Sequence, residues 1–259
     1  MSKQSFLDCK KPLLTAMIQK PDPDSCISAI RNAVYDGAEA FGFQICELKR
    51  EYRDEETFRH IFSYCGSHPI YITNYRQRYS DKVSDEDRTE EMLTAMRAGA
   101  VLMDVMGDLY CPDPRQLTYD AEAVKKQKEL IHEIHDMGGE VLMSAHIWEF
   151  VPGDEIVKMA QEMEARGADI AKIVTMANNM DELQSNIDTL FALRQKLSIP
   201  FVFLANGAYC KYQRIIAPML GSWLVMCVSR YDSITTKEQP ILRNTKIAFD
   251  NIDVDPYRV

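Results

Sequence analysis

The sequence predicts a (β/α)₈ TIM barrel of the α/β class, formed as one domain over residues 1–259 with short N- and C-terminal extensions. Three observations favour this fold. Eight short apolar runs alternate with eight longer amphipathic stretches, which is the count expected of a closed barrel. No Pro-, Gly- or Ser-rich linker divides the chain. Neither GxGxxG nor GxxxxGK[ST] follows the first run, so the nucleotide-binding motifs typical of an open doubly wound sheet are absent.

The predicted strands are short and mostly uncharged, and several are rich in β-branched residues, as expected of parallel strands buried on both faces. In chain order they are Leu13–Ile18, Phe41–Leu48, Ile70–Asn74, Val101–Val105, Glu140–His146, Ile170–Thr175, Phe201–Leu204 and Trp223–Val228.

The predicted helices begin near Asp or Glu or end near Gly, as capping and the helix dipole favour. In chain order they are Asp24–Tyr35, Glu55–Ser63, Asp85–Ala98, Asp120–Met137, Asp154–Arg166, Met180–Lys196, Tyr212–Leu220 and Gln239–Asn251.

Polar side chains follow the predicted strands at their carboxyl ends, where a TIM barrel builds its active site. They are Glu47, Lys49, Asn74, Arg76, Asp104, Asp108, Ser144, His146, Lys172, Asn206, Lys211, Arg214, Ser229, Arg230, Ser233, Thr235, Thr236 and Gln239. Any one of them could be an ordinary loop residue. Their convergence on one face predicts a functional site there.

Lys172 lies inside a β-branched run, Ala168–Met176, with no other charge after Asp169. Burial disfavours the protonated amine and lowers its pKa, which makes a lysine able to form a Schiff base with a ketone or aldehyde. The alternative is a lysine that extends past the strand end to solvent. His146 ends the preceding predicted strand as a potential general base, which favours the catalytic interpretation.

Composition excludes several classes of protein. The net charge of −9, from 30 basic and 39 acidic residues, argues against binding to a nucleic-acid backbone. The sequence has no run of eighteen apolar residues and no signal-peptide pattern, so we expect a soluble, cytoplasmic protein that does not bind membranes.

The seven cysteines have no CxxC spacing, which excludes zinc ribbons and disulfide scaffolds and predicts reduced thiols. His132 and His135 share a helix face and could in principle hold a metal, but neither Cys nor a carboxylate-bearing strand accompanies them. A solvated helix face is therefore favoured, and no metal site is predicted.

These features resemble the type I 3-dehydroquinate dehydratases, (β/α)₈ Schiff-base enzymes of the quinate pathway and of the shikimate pathway of aromatic amino acid biosynthesis. The resemblance extends from about Lys11 to Asp250. The segment Met143–His146, MSAH, resembles the family's MSxH. The segment Gly167–Met176, GADIAKIVTM, resembles its GADIxKIAxM, which carries the imine-forming lysine. The spacing of 26 residues from His146 to Lys172 also fits.

The resemblance implies further substrate-binding residues on the second and third strands. Glu47, in ICELKRE, stands where the family has the Glu of its LEWRxD pattern, and Lys49 replaces the Arg two residues later. Arg76, in TNYR, resembles the Arg of the TFR motif.

Near the C-terminal end, Arg214 stands seven residues before the pair Gly221–Ser222, as does the family arginine that binds the substrate carboxylate. Thr235 and Gln239 resemble the closing-loop Ser/Thr and Gln, which are four residues apart. The intervening Ala-Pro-Gly is missing here, so the alignment can also shift to Ser233.

Two departures bear on the substrate. Four residues after its TFR arginine the family has a Glu that pairs with the catalytic His, and this chain has Ser80 there, with Asp81 beside it. Without such a partner His146 loses a group that would raise its pKa and orient it. Lys49 also lacks the planar fork of an arginine.

The leading hypothesis is a lyase in which Lys172 forms an imine with 3-dehydroquinate and His146 moves the proton, giving 3-dehydroshikimate and water. No cofactor is expected, because the imine supplies the electrophile. The expected partner is a small-molecule substrate, an anionic polyhydroxy ketone, and a homodimer is a possible assembly. The alternatives are a divergent Schiff-base enzyme for another cyclic polyhydroxy ketone or keto sugar, and a non-catalytic binding barrel.

Overall fold

The computed structural model describes residues 4–252, in which eight parallel strands alternate with eight α-helices. The strands are β1 Leu13–Ile18, β2 Ala40–Gln44, β3 Ile70–Thr73, β4 Leu102–Met106, β5 Glu140–His146, β6 Ile170–Met176, β7 Phe201–Asn206 and β8 Leu224–Cys227. The helices are α1 Pro23–Tyr35, α2 Glu55–Ser63, α3 Asp85–Arg97, α4 Ala121–Asp136, α5 Gly153–Arg166, α6 Met180–Lys196, α7 Cys210–Ile216 and α8 Leu242–Asp250. The predicted TIM barrel is confirmed.

The sheet follows chain order from β1 to β7, and β8 returns to pair with β1. Among the described residues, one isolated bridge between Phe201 and Ser222 joins β7 to the residues before β8. Ser222 reinforces this seam, because its hydroxyl accepts a hydrogen bond of 3.3 Å from the backbone N–H of Phe203. The barrel is therefore nearly closed, and its pairing is least regular at this seam.

The second strand is shorter than the predicted Phe41–Leu48. Its last paired residue is Gln44, which lies beside Thr73 at the end of β3. Beyond that point the backbone turns back on itself in a 3₁₀ turn, in which the N–H of Leu48 donates to the carbonyl of Ile45 at 2.9 Å. The residues after β3 bind elsewhere, since the carbonyls of Asn74 and Tyr75 accept hydrogen bonds of 3.1 and 2.8 Å from Arg88 Nη1.

The eighth helix begins later than the predicted Gln239–Asn251. Val228 forms an isolated bridge with Ile241, so the residues before the helix are extended. The N–H of Val228 donates to the carbonyl of Pro240 at 3.0 Å, and the N–H of Leu242 donates to the carbonyl of Val228 at 2.8 Å. These bonds satisfy backbone groups outside a helix, and α8 starts only at Leu242.

Alternate strand residues face the barrel interior, which has a layer of apolar side chains towards the amino ends of the strands. This layer is formed by Leu13, Ala40, Tyr71, Leu102, Leu142, Ile170, Val202 and Leu224. Lys172 follows Ile170 by two residues and therefore points to the same interior, one layer closer to the carboxyl ends. A second and larger apolar cluster fills the space between strands and helices.

The N-terminal segment closes the bottom of the barrel. Phe6 is fully buried against the interior layer. Its carbonyl accepts a hydrogen bond of 2.8 Å from the indole N–H of Trp223, and its N–H donates to the carboxylate of Glu140 at 3.0 Å. Within residues 4–252 this segment covers the amino end of the barrel, opposite the carboxyl ends of the strands.

Within residues 4–252, no helix is both long and apolar enough to cross a membrane. Residues 1–3 and 253–259, part of the predicted terminal extensions, lie outside the described residues. The single domain over residues 1–259 stays a prediction.

We expect Gly42→Ala to destabilise the protein by about 1–3 kcal/mol, because it overpacks the barrel interior. A Cβ at Gly42 would lie 2.9 Å from Met17 Cε and 3.1 Å from Tyr71 Cδ1, which is closer than carbon atoms normally approach. Chemical denaturation would measure the change in free energy of unfolding. The exposed Ser67→Ala serves as control and should stay within about 0.5 kcal/mol. Unchanged stability of the Gly42 variant would mean that the interior rearranges without strain.

Candidate active site

A cavity of about 300 Å³ opens at the carboxyl ends of the strands. Its lining includes five of the eight predicted site residues, which are Lys172, His146, Arg76, Arg214 and Gln239. The other three, Glu47, Lys49 and Thr235, are not part of the lining. The described lining residues include neither Asp nor Glu. The cavity therefore favours an anionic or neutral polar ligand over a cation.

Lys172 is buried in β6, with 3 % of its surface exposed, and its amine is held by three oxygen atoms. Nζ donates to the hydroxyl of Tyr75 at 2.6 Å, to the hydroxyl of Tyr71 at 3.1 Å and to Asp104 Oδ2 at 3.2 Å. Burial lowers the pKa of Lys172, and the negative charge of Asp104 opposes that shift. The amine is thus a confined, oriented group and does not extend to solvent.

Asp104, in β4, is the buried counter-ion of Lys172. Its carboxylate also accepts hydrogen bonds from the hydroxyls of Tyr71, Tyr75 and Ser144, the Tyr75 bond being 2.8 Å long. Burial alone raises the pKa of Asp104, but the charge of Lys172 and these bonds hold it below its ordinary value. A fully hydrogen-bonded carboxylate of this kind is what allows a lysine inside an apolar barrel.

His146 ends β5 at the cavity wall and is partly buried. Its ring lies edge-on to the ring of Tyr75, with the centroids 4.6 Å apart. Burial, reinforced by the charge of Lys172, lowers the pKa of His146 to about 3. The imidazole forms no hydrogen bond with any residue in the range 4–252, while its backbone N–H donates to Gln116 Oε1 at 2.9 Å. The ring is therefore a neutral base at neutral pH.

Neither Ser80 nor Asp81 contacts His146. The Ser80 hydroxyl is buried elsewhere, where it donates to Asn74 Oδ1 and accepts from Arg53 Nη1, both at 2.7 Å. Asp81 is exposed and lines a separate surface depression. The carboxylate that acts electrostatically on His146 is Asp104, from a different strand.

Arg214 has hydrogen-bonding capacity left for a ligand. It is 6 % exposed, with Nε donating to the carbonyl of Ala205 at 2.9 Å and Nη2 to Asn206 Oδ1 at 3.0 Å. Burial lowers its pKa to about 10, so it stays a cation at neutral pH. Among the described residues no carboxylate pairs with it, and Nη1 has no protein acceptor.

Gln239 likewise has an unsatisfied polar atom. The side chain is 6 % exposed, and its buried Oε1 has no hydrogen-bond partner in the described part of the chain. A buried amide oxygen without a donor is unfavourable by about 1–3 kcal/mol. A ligand hydroxyl group in the cavity would supply the missing donor.

Arg76 lies at the cavity wall, but its guanidinium is already engaged by the protein. Nε and Nη2 donate to the two oxygens of Asp85 at 3.1 and 2.7 Å. Nη1 donates to both carboxylate oxygens of Asp108, at 2.9 and 3.0 Å, and Nη2 also donates to the Asp108 carbonyl at 3.0 Å. With these contacts the fork has little capacity left for a substrate.

The three remaining predicted site residues lie outside the cavity lining. Glu47 is buried behind it, with its carboxylate 3.5 Å from Arg78 Nε, and burial raises its pKa. Lys49 is partly buried beyond β2. The Thr235 hydroxyl accepts from a backbone N–H within its own loop, and Thr236 takes the place at the cavity. Each departure follows from local backbone geometry at a strand end or in a loop.

Sequence reasoning placed Asp104 among the polar residues at the strand ends but did not pair it with Lys172, and it did not single out several other residues around the amine. The pairing could have been found, because a carboxylate within the apolar run VLMDV needs a cation as much as Lys172 needs an anion. Tyr71 and Tyr75 share the period-two spacing of an interior face. No sequence signal identifies Gln116, which adopts a left-handed φ of 52° in the loop after β4 and presents its side chain to the cavity.

The described residues contain no group of three His, Cys, Asp or Glu side chains that could hold a metal ion. His132 is exposed, 3.4 Å from Asp136, and His135 lies 2.8 Å from Asp169. These two contacts account for the histidine pair as a surface feature of α4.

Comparison with known proteins is consistent with this geometry. The family model for type I 3-dehydroquinase matches residues 25–240. The 3-dehydroquinate dehydratase of Aromatoleum aromaticum is 27 % identical over 113 residues, which are 44 % of this chain and 40 % of that protein. That of Geobacillus thermodenitrificans is 23 % identical over 184 residues, 68 % of this chain and 65 % of that protein.

These two curated relatives are thus matched over less than two thirds of their length. The crystal structure of 3-dehydroquinate dehydratase from Geobacillus kaustophilus aligns over more of the chain. It has a TM-score of 0.80 at 14 % identity, and the alignment covers 94 % of this chain and 92 % of that one. At this identity the structural similarity is evidence for the fold alone.

We expect Asp104→Asn to lower the free energy of unfolding by about 3–5 kcal/mol at pH 7, because it leaves a buried ammonium without its counter-ion. The variant should also lower the pKa of Lys172 further. An unfolded lysine is protonated below its ordinary pKa of 10.5, so a depressed folded pKa destabilises the protein below that pH. The decrease in the free energy of unfolding should therefore become smaller as pH rises towards 10.5.

Denaturant unfolding at pH 7 and pH 10 would measure both effects. Ser144→Ala is the matched control, because it removes a neutral hydrogen-bond donor from the same carboxylate and leaves the Lys172 counter-ion in place. It should lower the free energy of unfolding by about 1.5–3 kcal/mol, equally at both pH values. If Asp104→Asn lowers the free energy of unfolding equally at both pH values, the result would contradict the buried ion pair.

Proposed function

The chain belongs to the type I 3-dehydroquinase family, and from this membership we propose that it is a hydro-lyase that dehydrates 3-dehydroquinate to 3-dehydroshikimate through an imine on Lys172. The observation that carries the proposal is the Lys172 amine, buried at the base of the cavity and held by a carboxylate and two phenols. A ligand-binding barrel without chemistry would gain nothing from a buried ammonium, which is unfavourable. A reactive amine explains it.

In the proposed reaction the substrate ketone condenses with Lys172, and the resulting iminium withdraws electrons from the adjacent C–H bond. His146, at the wall of the same cavity, accepts that proton. Its lowered pKa keeps the ring unprotonated at neutral pH, so its nitrogen is free to accept a proton. The protonated imidazole then returns the proton to the departing hydroxyl, so water leaves and a conjugated iminium forms on Lys172. Hydrolysis of this iminium by a water molecule releases the conjugated enone and restores the Lys172 amine. No cofactor is needed for these steps.

Arg214 is proposed to bind the substrate carboxylate. It is the cation at the cavity with unused donors, whereas Arg76 is engaged by two carboxylates and Lys172 by one. The absence of Asp and Glu from the described lining leaves its charge available to an anion. Gln239 Oε1 is proposed to accept a hydrogen bond from a substrate hydroxyl. A homodimer stays a prediction.

A second candidate keeps the imine chemistry on a different cyclic polyhydroxy ketone or keto sugar. The observation that favours it is the position of Glu47, Lys49 and Arg76, of which two lie outside the cavity lining and the third is saturated. The family resemblance assigns contacts with the substrate to these three positions. Different hydroxyl contacts would select a different ring.

We expect sodium borohydride added together with 3-dehydroquinate to reduce an imine on Lys172 and on no other lysine. The physical reason is burial, which depresses the pKa of this amine. Peptide mass spectrometry locates the adduct, and ultraviolet absorbance of the enone follows turnover. Lys172→Ala should abolish both. His146→Ala should still form adduct and lose turnover by a factor on the order of 10² to 10⁴.

The outcomes separate the candidates. Adduct and enone together support 3-dehydroquinate as substrate. Adduct without enone from folded protein favours the divergent ketone. Labelling of exposed lysines such as Lys211 in preference to Lys172 would exclude imine catalysis at this site.

For Arg214→Lys we expect a loss in kcat/KM equivalent to roughly 1 to 3 kcal/mol, because an ammonium keeps the charge but loses the bidentate geometry. Steady-state kinetics with 3-dehydroquinate measures it. Lys211→Met, on the exposed side of the same helix, is the control for a general change of charge and should behave as wild type. If Arg214→Lys handles the anionic substrate as well as wild type, the carboxylate role fails.

A further inference from the structure

Among the side chains hydrogen-bonded around the Lys172 amine, one also faces the cavity. The network consists of Tyr71, Tyr75, Asp104 and Ser144, and of these Tyr75 alone belongs to the described cavity lining. We propose that Tyr75 is a catalytic residue that carries protons between Lys172 Nζ, Asp104 and the substrate oxygen while the imine forms. This inference rests on the proposed function, because it concerns the formation of the imine on Lys172.

The distances place Tyr75 between the proton donor and the proton acceptor. Its hydroxyl lies 2.6 Å from Lys172 Nζ and 2.8 Å from Asp104 Oδ2, whereas the direct distance from Nζ to Oδ2 is 3.2 Å. The phenol thus accepts from the ammonium and donates to the carboxylate. Burial, together with the charge of Asp104, holds the pKa of Tyr75 well above its usual range, so it is a neutral phenol before reaction.

The other network members cannot reach a substrate in the cavity. Tyr71 makes a bond of 3.1 Å to the same amine and also donates to Asp104, but it is fully buried in the apolar layer below. Asp104 is 3 % exposed and lies outside the lining. Tyr75 is therefore the route by which a proton stored on Asp104 can return to the cavity.

The proton balance is complete without any other reactant. First, an N–H bond of the Lys172 ammonium breaks and its proton bonds to the Tyr75 oxygen, while the original Tyr75 proton passes to Asp104 Oδ2. This leaves a neutral amine, a phenol and a neutral carboxylic acid. The amine lone pair then attacks the carbonyl carbon, the C=O π pair moves to oxygen, and a second proton passes from nitrogen to that oxygen, giving the carbinolamine.

In the last step Asp104 returns its proton through Tyr75 to the carbinolamine hydroxyl. The C–O bond breaks, water leaves, and the nitrogen lone pair forms the C=N bond of the iminium. Nitrogen has then lost two protons, and the departing water has gained both. Asp104 is again a carboxylate and Tyr75 a phenol, and the cationic iminium takes the place of the ammonium in the ion pair.

His146 is poorly suited to this step although it lies at the same cavity wall. Its ring forms no hydrogen bond to the amine, the carboxylate or any other described residue, and contacts Tyr75 edge-on. The geometry therefore assigns different proton transfers to the two residues. Tyr75 serves the nitrogen and the carbonyl oxygen, and His146 serves the C–H bond and the leaving hydroxyl.

Rapid mixing with 3-dehydroquinate, followed by a borohydride quench at increasing times, measures the rate of adduct formation on Lys172. We expect Tyr75→Phe to slow adduct formation by a factor on the order of 10² or more. Tyr71→Phe is the matched control, because it also removes one hydroxyl from the same amine and the same carboxylate, but outside the cavity. It should slow adduct formation by about tenfold or less, the loss of one hydrogen bond. Thermal unfolding checks that both variants are folded.

Replacement of Tyr75 by a fluorinated tyrosine keeps the shape and makes the phenol more acidic. The alkaline limb of the pH dependence of adduct formation should then move to lower pH, which a purely structural role would not produce. Equal rates for wild type and Tyr75→Phe, equal losses for the two phenylalanine variants, or an unmoved alkaline limb would each overturn the role of Tyr75. Those results leave imine chemistry intact, whereas a wild-type protein that forms no adduct would overturn both proposals.

Discussion

The buried ion pair between Lys172 and Asp104 is the constraint around which the interior of this barrel is arranged. Two charges inside an apolar layer are favourable only when each is paired and the remaining lone pairs and protons are hydrogen-bonded. Asp104 meets this condition with bonds from two tyrosines and a serine, and Lys172 with bonds to the same two tyrosines. The side chains that compensate the two charges are thus the same ones that surround the proposed reactive amine.

Packing below the pair explains how it is held in position. The N-terminal segment covers the amino end of the barrel through Phe6, and the apolar layer fills the space above it. Gly42 leaves the room that Met17 and Tyr71 occupy. The position of the Tyr71 hydroxyl under the amine therefore depends on a glycine in a neighbouring strand. In the described part of the chain, the cavity at the carboxyl ends is the opening that reaches Lys172.

The polar side chains of the cavity wall are of two kinds. Some are fixed by contacts within the protein, and others have hydrogen-bonding groups that the protein does not use. Arg76 is fixed by Asp85 and Asp108, so it shapes the wall and adds little net charge. Arg214 and Gln239 are buried with hydrogen-bonding capacity left over, and a ligand that satisfies them would gain more than it would at an exposed site. Discrimination among ligands is therefore expected to rest on these two side chains and on the loop residues around them.

The sequence by itself determined the barrel, because strand and helix periods, capping residues and short connections are local properties that the chain expresses segment by segment. It also determined that Lys172 and His146 are exceptional, since a charge within an apolar run and a histidine at a strand end are visible in the letters. Only the tertiary structure decided their partners. Asp104 lies 68 residues before Lys172 and Tyr75 lies 97 residues before it, and they meet because strand order and register bring these positions together. The tertiary structure likewise decided that Arg76 is held by two carboxylates. It also decided that Thr236 rather than Thr235 faces the cavity. The reason is that the direction of a loop side chain depends on backbone angles, which no local sequence pattern specifies here.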